Sequence, residues 1–469
     1  MVDESDRRKL SAAARASAVI LAAGHGTRMK SKTPKPLHTL AGRTLVGYPL
    51  KLCVSLSLSP ITVVAGNESA ARMRDLMPEA EVVEQGTRGY GTGYAAAQAA
   101  PNQHGKSAST FVLFADTPLL TPSTVVRMLD EREISQAAIV VLSAIPDDPA
   151  RYGRVLRDGS GKVKRIVEAA GATADELGVR EINTGIVVFD SAWLWRNISR
   201  LTPDPAKGET LLTDLVAMAI AQGREVECLT LDDPLEGMGC DDRIELARAE
   251  RIIRTRKLEE LMLAGVTVRD PQATYVDDTV QAGRDTEIQP GTFLRGNTVI
   301  DADCSIGPAT EIVDSTIGKG CVVRQSVVKN SRLGNNVTVG PFSHIRQEAV
   351  VGDGAHIGNY AEIKNSRIGA DTLMGHFGYL GDADVGDGVN IGAGAVTCNF
   401  DGRDKHRTLI GNHAFVGSGA MLVAPISVGR GATIGAGSVV TRDIPDGALS
   451  YGVPARLKRI KPVDSEDEG

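Results

Sequence analysis

Residues 333–363 read LGNNVTVGPFSHIRQEAVVGDGAHIGNYAEI, and this stretch decides the architecture of the second half of the chain. An aliphatic residue stands at every sixth position: Leu333, Val339, Ile345, Val351, Ile357 and Ile363. The same step begins at Ile300, Ile306 and Ile312 and returns through Ile410, Val416, Leu422, Val428, Ile434 and Val440. Small residues follow four places later, as at Val337, Ala355, Ala361, Ala414, Ala432 and Ser438. An alternating strand has period two and a helix 3.6, so neither fits. A six-residue period predicts a parallel β-helix of hexapeptide repeats, each short strand forming one flat side of a coil. The aliphatic residue fills the prism, and Gly, Asn and Asp take corners where positive φ costs little.

The period skips between Ile368 and Val385 and again between Ile391 and Ile410. Solenoids carry insertions on their binding face, so residues 374–382 and 398–409 are the expected places for chemistry. Upstream, residues 242–264 lack Gly and Pro, are dense in Arg and Glu, and space Leu246, Ala249, Ile253, Leu258, Leu261 and Met262 among them. That pattern predicts a mostly solvated connecting helix with the domain boundary inside it. Before it, apolar runs at Ala18–Ala22, Ile61–Ala65, Thr110–Phe114, Ile139–Ala144 and Gly185–Phe189 alternate with helix-like segments such as Gly93–Ala100 and Pro122–Glu131. The alternation predicts an α/β, Rossmann-like domain with a mostly parallel sheet and ligands beyond its carboxyl edge. The expected organisation is a disordered extension over 1–16, an α/β domain over 17–241, a linker helix over 242–264, a β-helix over 265–461 and a disordered acidic tail over 462–469.

Composition agrees with two unlike halves, since 31 of the 51 glycines fall after residue 250 in the 469-residue chain. A net charge of -6 provides no basic field for nucleic acid. Six cysteines without a Cys-x-x-Cys pair predict reduced, mostly buried thiols rather than a disulfide framework or zinc site. Arg15 interrupts the apolar stretch near the start, so no secretory signal is expected, and no run of eighteen apolar residues predicts a membrane span. The expectation is a cytoplasmic protein.

After the first predicted strand comes Leu21-Ala22-Ala23-Gly24-His25-Gly26-Thr27-Arg28-Met29, followed by Pro34-Lys35-Pro36. A glycine turn leaving a strand lets backbone N–H groups approach a phosphate, and Arg28 and Lys35 add two cations. The third glycine of a dinucleotide fingerprint is missing. Asp116 ends another apolar strand ahead of a proline, where a turn role alone would explain it.

These motifs resemble the sugar-1-phosphate nucleotidylyltransferases. With the solenoid behind them, the chain from Ser17 to about Lys461 resembles the bifunctional uridylyltransferase/acetyltransferases that make UDP-N-acetylglucosamine. The resemblance implies that Leu21, Ala22, Ala23 and Gly24 hold uracil and ribose of UTP, with Gly91, Thr92 and Gln85 at the base. Arg28 and Lys35 would stabilise charge on the α-phosphate, and Asp116 and Asp241 would hold Mg²⁺. Gly153, Glu168 and Asn183 match amino-sugar contacts. Asp241 stands where the family usually has Asn, Ala115 where it has Gly, and the family has one residue fewer between Gln85 and Gly91.

In the solenoid, His376 interrupts the period beside Tyr379, with Glu362 expected two coils back to fix its tautomer. Left-handed solenoids of this kind resemble acyl-CoA-dependent transferases. The resemblance implies His376 as general base toward glucosamine 1-phosphate, Arg346 and Lys364 on its phosphate, Tyr379, Asn390 and Asn399 on the sugar, and Lys405 in the active-site loop. Ala393, Ser418 and Ala436 match acetyl-CoA contacts. Phe400 stands where Tyr is usual and Gly452 where an Arg is expected. The resemblance further implies a homotrimer. Two other readings remain at this level: a nucleotidylyltransferase whose solenoid only assembles subunits, and a non-catalytic scaffold.

Overall fold

The computed structural model describes residues 15–149, 151–204 and 208–460, so the expected extension and acidic tail lie almost wholly outside the described residues. The chain divides into two compact units, residues 1–252 and 253–469.

The first unit is built on a nine-stranded sheet whose main row holds, in chain order, β1 (Ala16–Ala22), β2 (Ile61–Ala65), β3 (Glu81–Glu84), β4 (Ser109–Phe114), β5 (Ile139–Ala144), β6 (Ile182–Asp190) and β7 (Val226–Thr230), with Arg154–Arg157 and Val163–Val167 as a hairpin beside β6. The spatial order of the row is β7-β5-β6-β4-β1-β2-β3. Every pairing in this row is parallel except those of β6, which runs antiparallel to both β4 and β5. Ala16 already pairs with Ser109, so the ordered sheet begins one residue before the expected boundary at Ser17. β1 and β5 are fully buried, which is why their sequences are continuous apolar runs rather than alternating ones.

The reversed strand matters for function. Running β6 backwards brings its first residues, Ile182 and Asn183, opposite Ala144 and Ser143 at the carboxyl end of β5. Asn183 thereby joins the loops that follow the parallel strands. A bulge between Asn183 and Val187 makes this entry possible. Gly185 sits in it at φ +79, where a Cβ would lie 2.2 Å from the Phe114 ring, so no larger residue fits.

The long helix Arg243–Leu263 buries Leu246, Ala249, Ile253 and Lys257, each three or four residues after the last, together with Leu258 and Leu261, while Met262 is exposed. Leu258 and Leu261 belong to the solenoid core. The helix is thus less solvated than its charge density suggests.

The second unit is a parallel β-helix. Among the described residues its three faces hold 12, 10 and 9 strands. Coils stack in register, so Val328, Ile345, Ile363 and Leu380 form one column of neighbours, all essentially inaccessible. Because each member touches the coil above and below, Ile345→Ala is expected to destabilise the solenoid by about 2–5 kcal/mol. The urea midpoint should fall with the m-value unchanged.

The two period skips have different origins. Ile368 and Val385 are direct neighbours in adjacent coils, and Leu373–Met374 and Gly378–Gly381 complete the coil between them. Residues 374–382 are therefore an ordinary coil and not the expected insertion. The step shortens because a single left-handed residue, Asp382 at φ 51, closes the corner, as Asn330 and Asn365 do in other coils. Only the second skip is an insertion: Val385 pairs directly with Ile410, and the chain loops out between strands Val396–Cys398 and Thr408–Ile410.

Candidate active sites

In the first unit, the turn after β1 brings Lys35 back against it. Gly26 lies at φ +58, and a Cβ there would sit 2.4 Å from the Lys35 Cβ, so the second glycine of the motif is what lets Lys35 come in. The Lys35 ammonium is held by the Asp116 carboxylate and by Asp241 Oδ1 at 2.5 Å. Burial acts to lower the Lys35 pKa, but Asp116 and Asp241 outweigh it and keep the ammonium above its ordinary range. Asp241 also receives Arg28 and Arg151, each at 3.1 Å from Oδ2. Burial favours its neutral form, yet Lys35, Arg28 and Arg151 together hold its carboxyl below the usual range.

Two adjoining cavities open around this cluster. One, of about 210 Å³, is lined by Leu21, Ala22, Ala23, Gly24, Gln85, Gly91, Thr92 and Asp116. Gly91 at φ +105 is pressed against Thr210, where a Cβ would lie 2.4 Å from the carbonyl oxygen. The other, of about 350 Å³, is lined by Arg28, Asp116, Gly153, Glu168, Asn183 and Asp241, and also by Arg151. Every residue named for nucleotide and amino sugar thus lies on one cavity or the other, with Lys35 in contact with both carboxylates. The one-residue difference before Gly91 leaves Gln85 on the first cavity. Arg151 was not foreseen, because an Arg beside a Tyr-Gly pair gives no signal in the sequence.

Asp116 and Asp241 both turn toward the Lys35 ammonium, and these two carboxylates are the groups that would hold a hard cation here. Among the described residues no group of three or more His, Cys, Asp and Glu gathers around a metal-sized space. Two oxygen ligands suit an ion that takes its remaining ligands from phosphates and water.

In the second unit, Glu362 is one coil from Tyr379, as its direct neighbour, rather than two from the histidine's coil. Its Oε1 accepts from Arg346 Nε at 2.9 Å and Nη2 at 2.6 Å. Among the described residues no hydrogen bond joins it to His376, so it does not orient the imidazole as expected; it fixes Arg346. Arg346 and Lys364 are neighbours in adjacent coils. Lys405, from the true insertion, lies beside Lys364, and this like charge holds the Lys364 ammonium below its ordinary pKa. Tyr379 folds its ring over Gly381.

Asp382 completes this cluster and was missed in the sequence, where it reads as one more corner residue. It is buried, accepts from Asn365 Nδ2 at 2.5 Å and also from Asn399. Burial raises its pKa, but those amides and the nearby Lys364 and Lys405 prevail and keep it ionised.

The corner ladder places the remaining residues. Leu373 pairs with Asn390, Asn390 with Phe415 and Phe415 with Thr433, so three residues further on His376, Ala393, Ser418 and Ala436 occupy equivalent corner positions in four successive coils. His376, Ser418 and Ala436 are exposed and Ala393 is half-buried. Asn390 projects outward from the strand leading into the Ala393 corner.

Three family domains match the chain: a MobA-like NTP transferase domain at residues 18–177, a GMPPB C-terminal domain at 274–372 and a bacterial transferase hexapeptide at 407–442. A Geobacillus protein named "Bifunctional protein GlmU" is 41% identical over 447 residues, covering 95% of this chain and 97% of its own length. The protein of that name from Brevibacillus brevis is 40% identical, covering 95% and 96%. That from Heliobacterium modesticaldum is 43% identical over 437 residues, covering 92% and 94%. An α/β nucleotidyltransferase unit, a hexapeptide β-helix and identity of this level across both units place the chain in one family: it belongs to the bifunctional GlmU proteins.

Proposed function

We propose that this protein acetylates glucosamine 1-phosphate with acetyl-CoA in its β-helix, residues 265–461, and transfers UMP from UTP to N-acetylglucosamine 1-phosphate in residues 17–241. The products of the second step are UDP-N-acetylglucosamine and pyrophosphate. Two unlike clusters in one chain carry this reading: Lys35 gripped by Asp116 and Asp241, and His376 at the head of the corner ladder.

In the first unit, a phosphate oxygen of the sugar 1-phosphate attacks the α-phosphorus of UTP in line, and pyrophosphate leaves. The work of the side chains is positioning and charge neutralisation. Arg28 and Lys35 face the α-phosphate, Gly91, Thr92 and Gln85 the base, and Glu168 and Asn183 the sugar hydroxyl and acetamido groups. Asp116 and Asp241 hold Mg²⁺, which when bound neutralises phosphate charge. In the second unit, His376 takes a proton from the amine as its nitrogen attacks the thioester carbonyl, and the C–S bond breaks to release CoA. Arg346, Lys364 and Lys405 hold the sugar phosphate, and Tyr379, Asn390 and Asn399 the sugar. Ala393 lends its N–H to the developing oxyanion; among the described residues that N–H has no acceptor.

A homotrimer fits the large apolar side chains exposed on the solenoid, including Val350, Leu373, Leu409 and Phe415. Six unpaired thiols suit the cytoplasm, and among the described residues no helix is long and apolar enough to cross a membrane.

The test assays the half-reactions separately. Purified protein with UTP, N-acetylglucosamine 1-phosphate and Mg²⁺ is expected to release pyrophosphate, and with acetyl-CoA and glucosamine 1-phosphate to release thiol. Pyrophosphate without thiol would make the solenoid an assembly element only; neither product would overturn the whole reading.

A further inference from the structure

The residues assigned to the acceptor sugar leave one chemical need unmet. The acceptor is a phosphate monoester, yet Gly153, Glu168 and Asn183 include no cation, and Glu168 adds a negative charge. Arg28 and Lys35 are committed to the α-phosphate. A dianion approaching a second polyanion requires a further positive group.

Arg151 is the cation in the right place. It lines the same cavity as Gly153, Glu168 and Asn183, two residues before Gly153. Its guanidinium is 3.1 Å from Asp241 Oδ2 and also contacts Glu245 Oε1. Glu245 is itself anchored: its Oε2 accepts from the Asp241 N–H at 2.7 Å, and its own N–H donates to Asp242 Oδ1 at 2.9 Å in the first turn of the long helix. Tyr152 OH, accepting from Gly239 N–H at 3.3 Å, ties the same two loops together. Arg151 Nη2 is thus shared between Glu245 and Asp241, and Asp241 is the carboxylate that a bound metal would claim.

We propose that Arg151 binds the phosphate of the incoming sugar 1-phosphate, exchanging Asp241 for the substrate while Glu245 keeps the guanidinium in place. This also accounts for Asp at 241 where the family usually has Asn: the additional negative charge is matched by an additional cation, which substrate then recruits. The inference rests on the uridylyltransferase reading of this site.

Steady-state kinetics on the full chain test it. Arg151→Ala is expected to raise KM for N-acetylglucosamine 1-phosphate by about 10- to 100-fold, the loss of a charge-assisted hydrogen bond, with KM for UTP changed less than about threefold. Arg151→Lys should restore part of the loss, because a point charge replaces a two-pronged donor. The retained KM for UTP of the same preparations reports that the first unit is folded. If Arg151 serves only to balance Asp241, the alanine variant will keep its acceptor KM and change only its Mg²⁺ requirement, and the proposal falls. Wild-type protein releasing no pyrophosphate would instead overturn the underlying reading.

Discussion

Lys35→Ala lowers uridylyl transfer by about 10²–10³-fold, the size expected when a preorganised charge is removed from a transition state, and leaves acetyl transfer within about twofold. Lys35 is 11% exposed and touches both Asp116 and Asp241, so its removal has two effects. The α-phosphate loses its fixed cation, and two carboxylates turned toward one point lose the ammonium between them. The second effect separates this variant from a simple loss of binding. Without Lys35 the carboxylates repel one another, so the affinity of the protein for Mg²⁺ measured without nucleotide should rise while turnover falls. Lys35→Arg should not rescue, because a longer planar fork cannot place one compact charge between Asp116 and Asp241 as the ammonium does. Calorimetric Mg²⁺ titration beside pyrophosphate-release kinetics measures both quantities. A variant with unchanged turnover would remove Lys35 from the chemistry.

The features most legible in the sequence were those fixed by periodic burial. β2 and β5 carry the bounds their apolar runs suggest, and the hexapeptide column from Leu333 to Ile363 faces inward throughout. Corners were less legible, because a solenoid corner closes in one residue or two depending on whether a side chain accepts left-handed φ. Asp382 does so, shortening its step, and a strict period of six then mistakes a normal coil for an insertion. The sites divide along the same line. Arg28 and Lys35 stand out by their spacing after a glycine turn, whereas Asp116 reads as a turn residue until the family resemblance gives it a role. Partners that converge from distant segments do not stand out: Glu245 reaches Arg151 from a helix 94 positions later, and Asp382 gathers Asn365 and Asn399 across neighbouring coils. Glu362 shows the cost of counting coils by sequence distance alone. It lies in the next coil and meets Arg346, a phosphate-side role in place of a histidine-orienting one.

His376→Ala lowers acetyl transfer by about 10²–10⁴-fold, the usual contribution of a positioned general base, with pyrophosphate release from UTP unchanged. The corner ladder explains why so much should hang on one exposed side chain. The preceding corner is occupied by Asn359 and Tyr360 and the following one by Ala393 and Gly394, so His376 is the imidazole that this ladder offers next to Ala393. Cations gather elsewhere, at Arg346, Lys364 and Lys405, where they would serve the phosphate proposed above rather than take a proton from the amine. Loss of the imidazole should therefore depress kcat far more than it raises KM for glucosamine 1-phosphate. Lys364→Ala gives the opposite split, raising that KM by about tenfold or more through the lost charge-assisted contact. Because His376 is exposed at a corner and fills no part of the core column, its alanine variant should also unfold at the wild-type urea midpoint. Full acetyl transfer by that variant would mean that the amine surrenders its proton to solvent, and that the solenoid contributes geometry and charge alone.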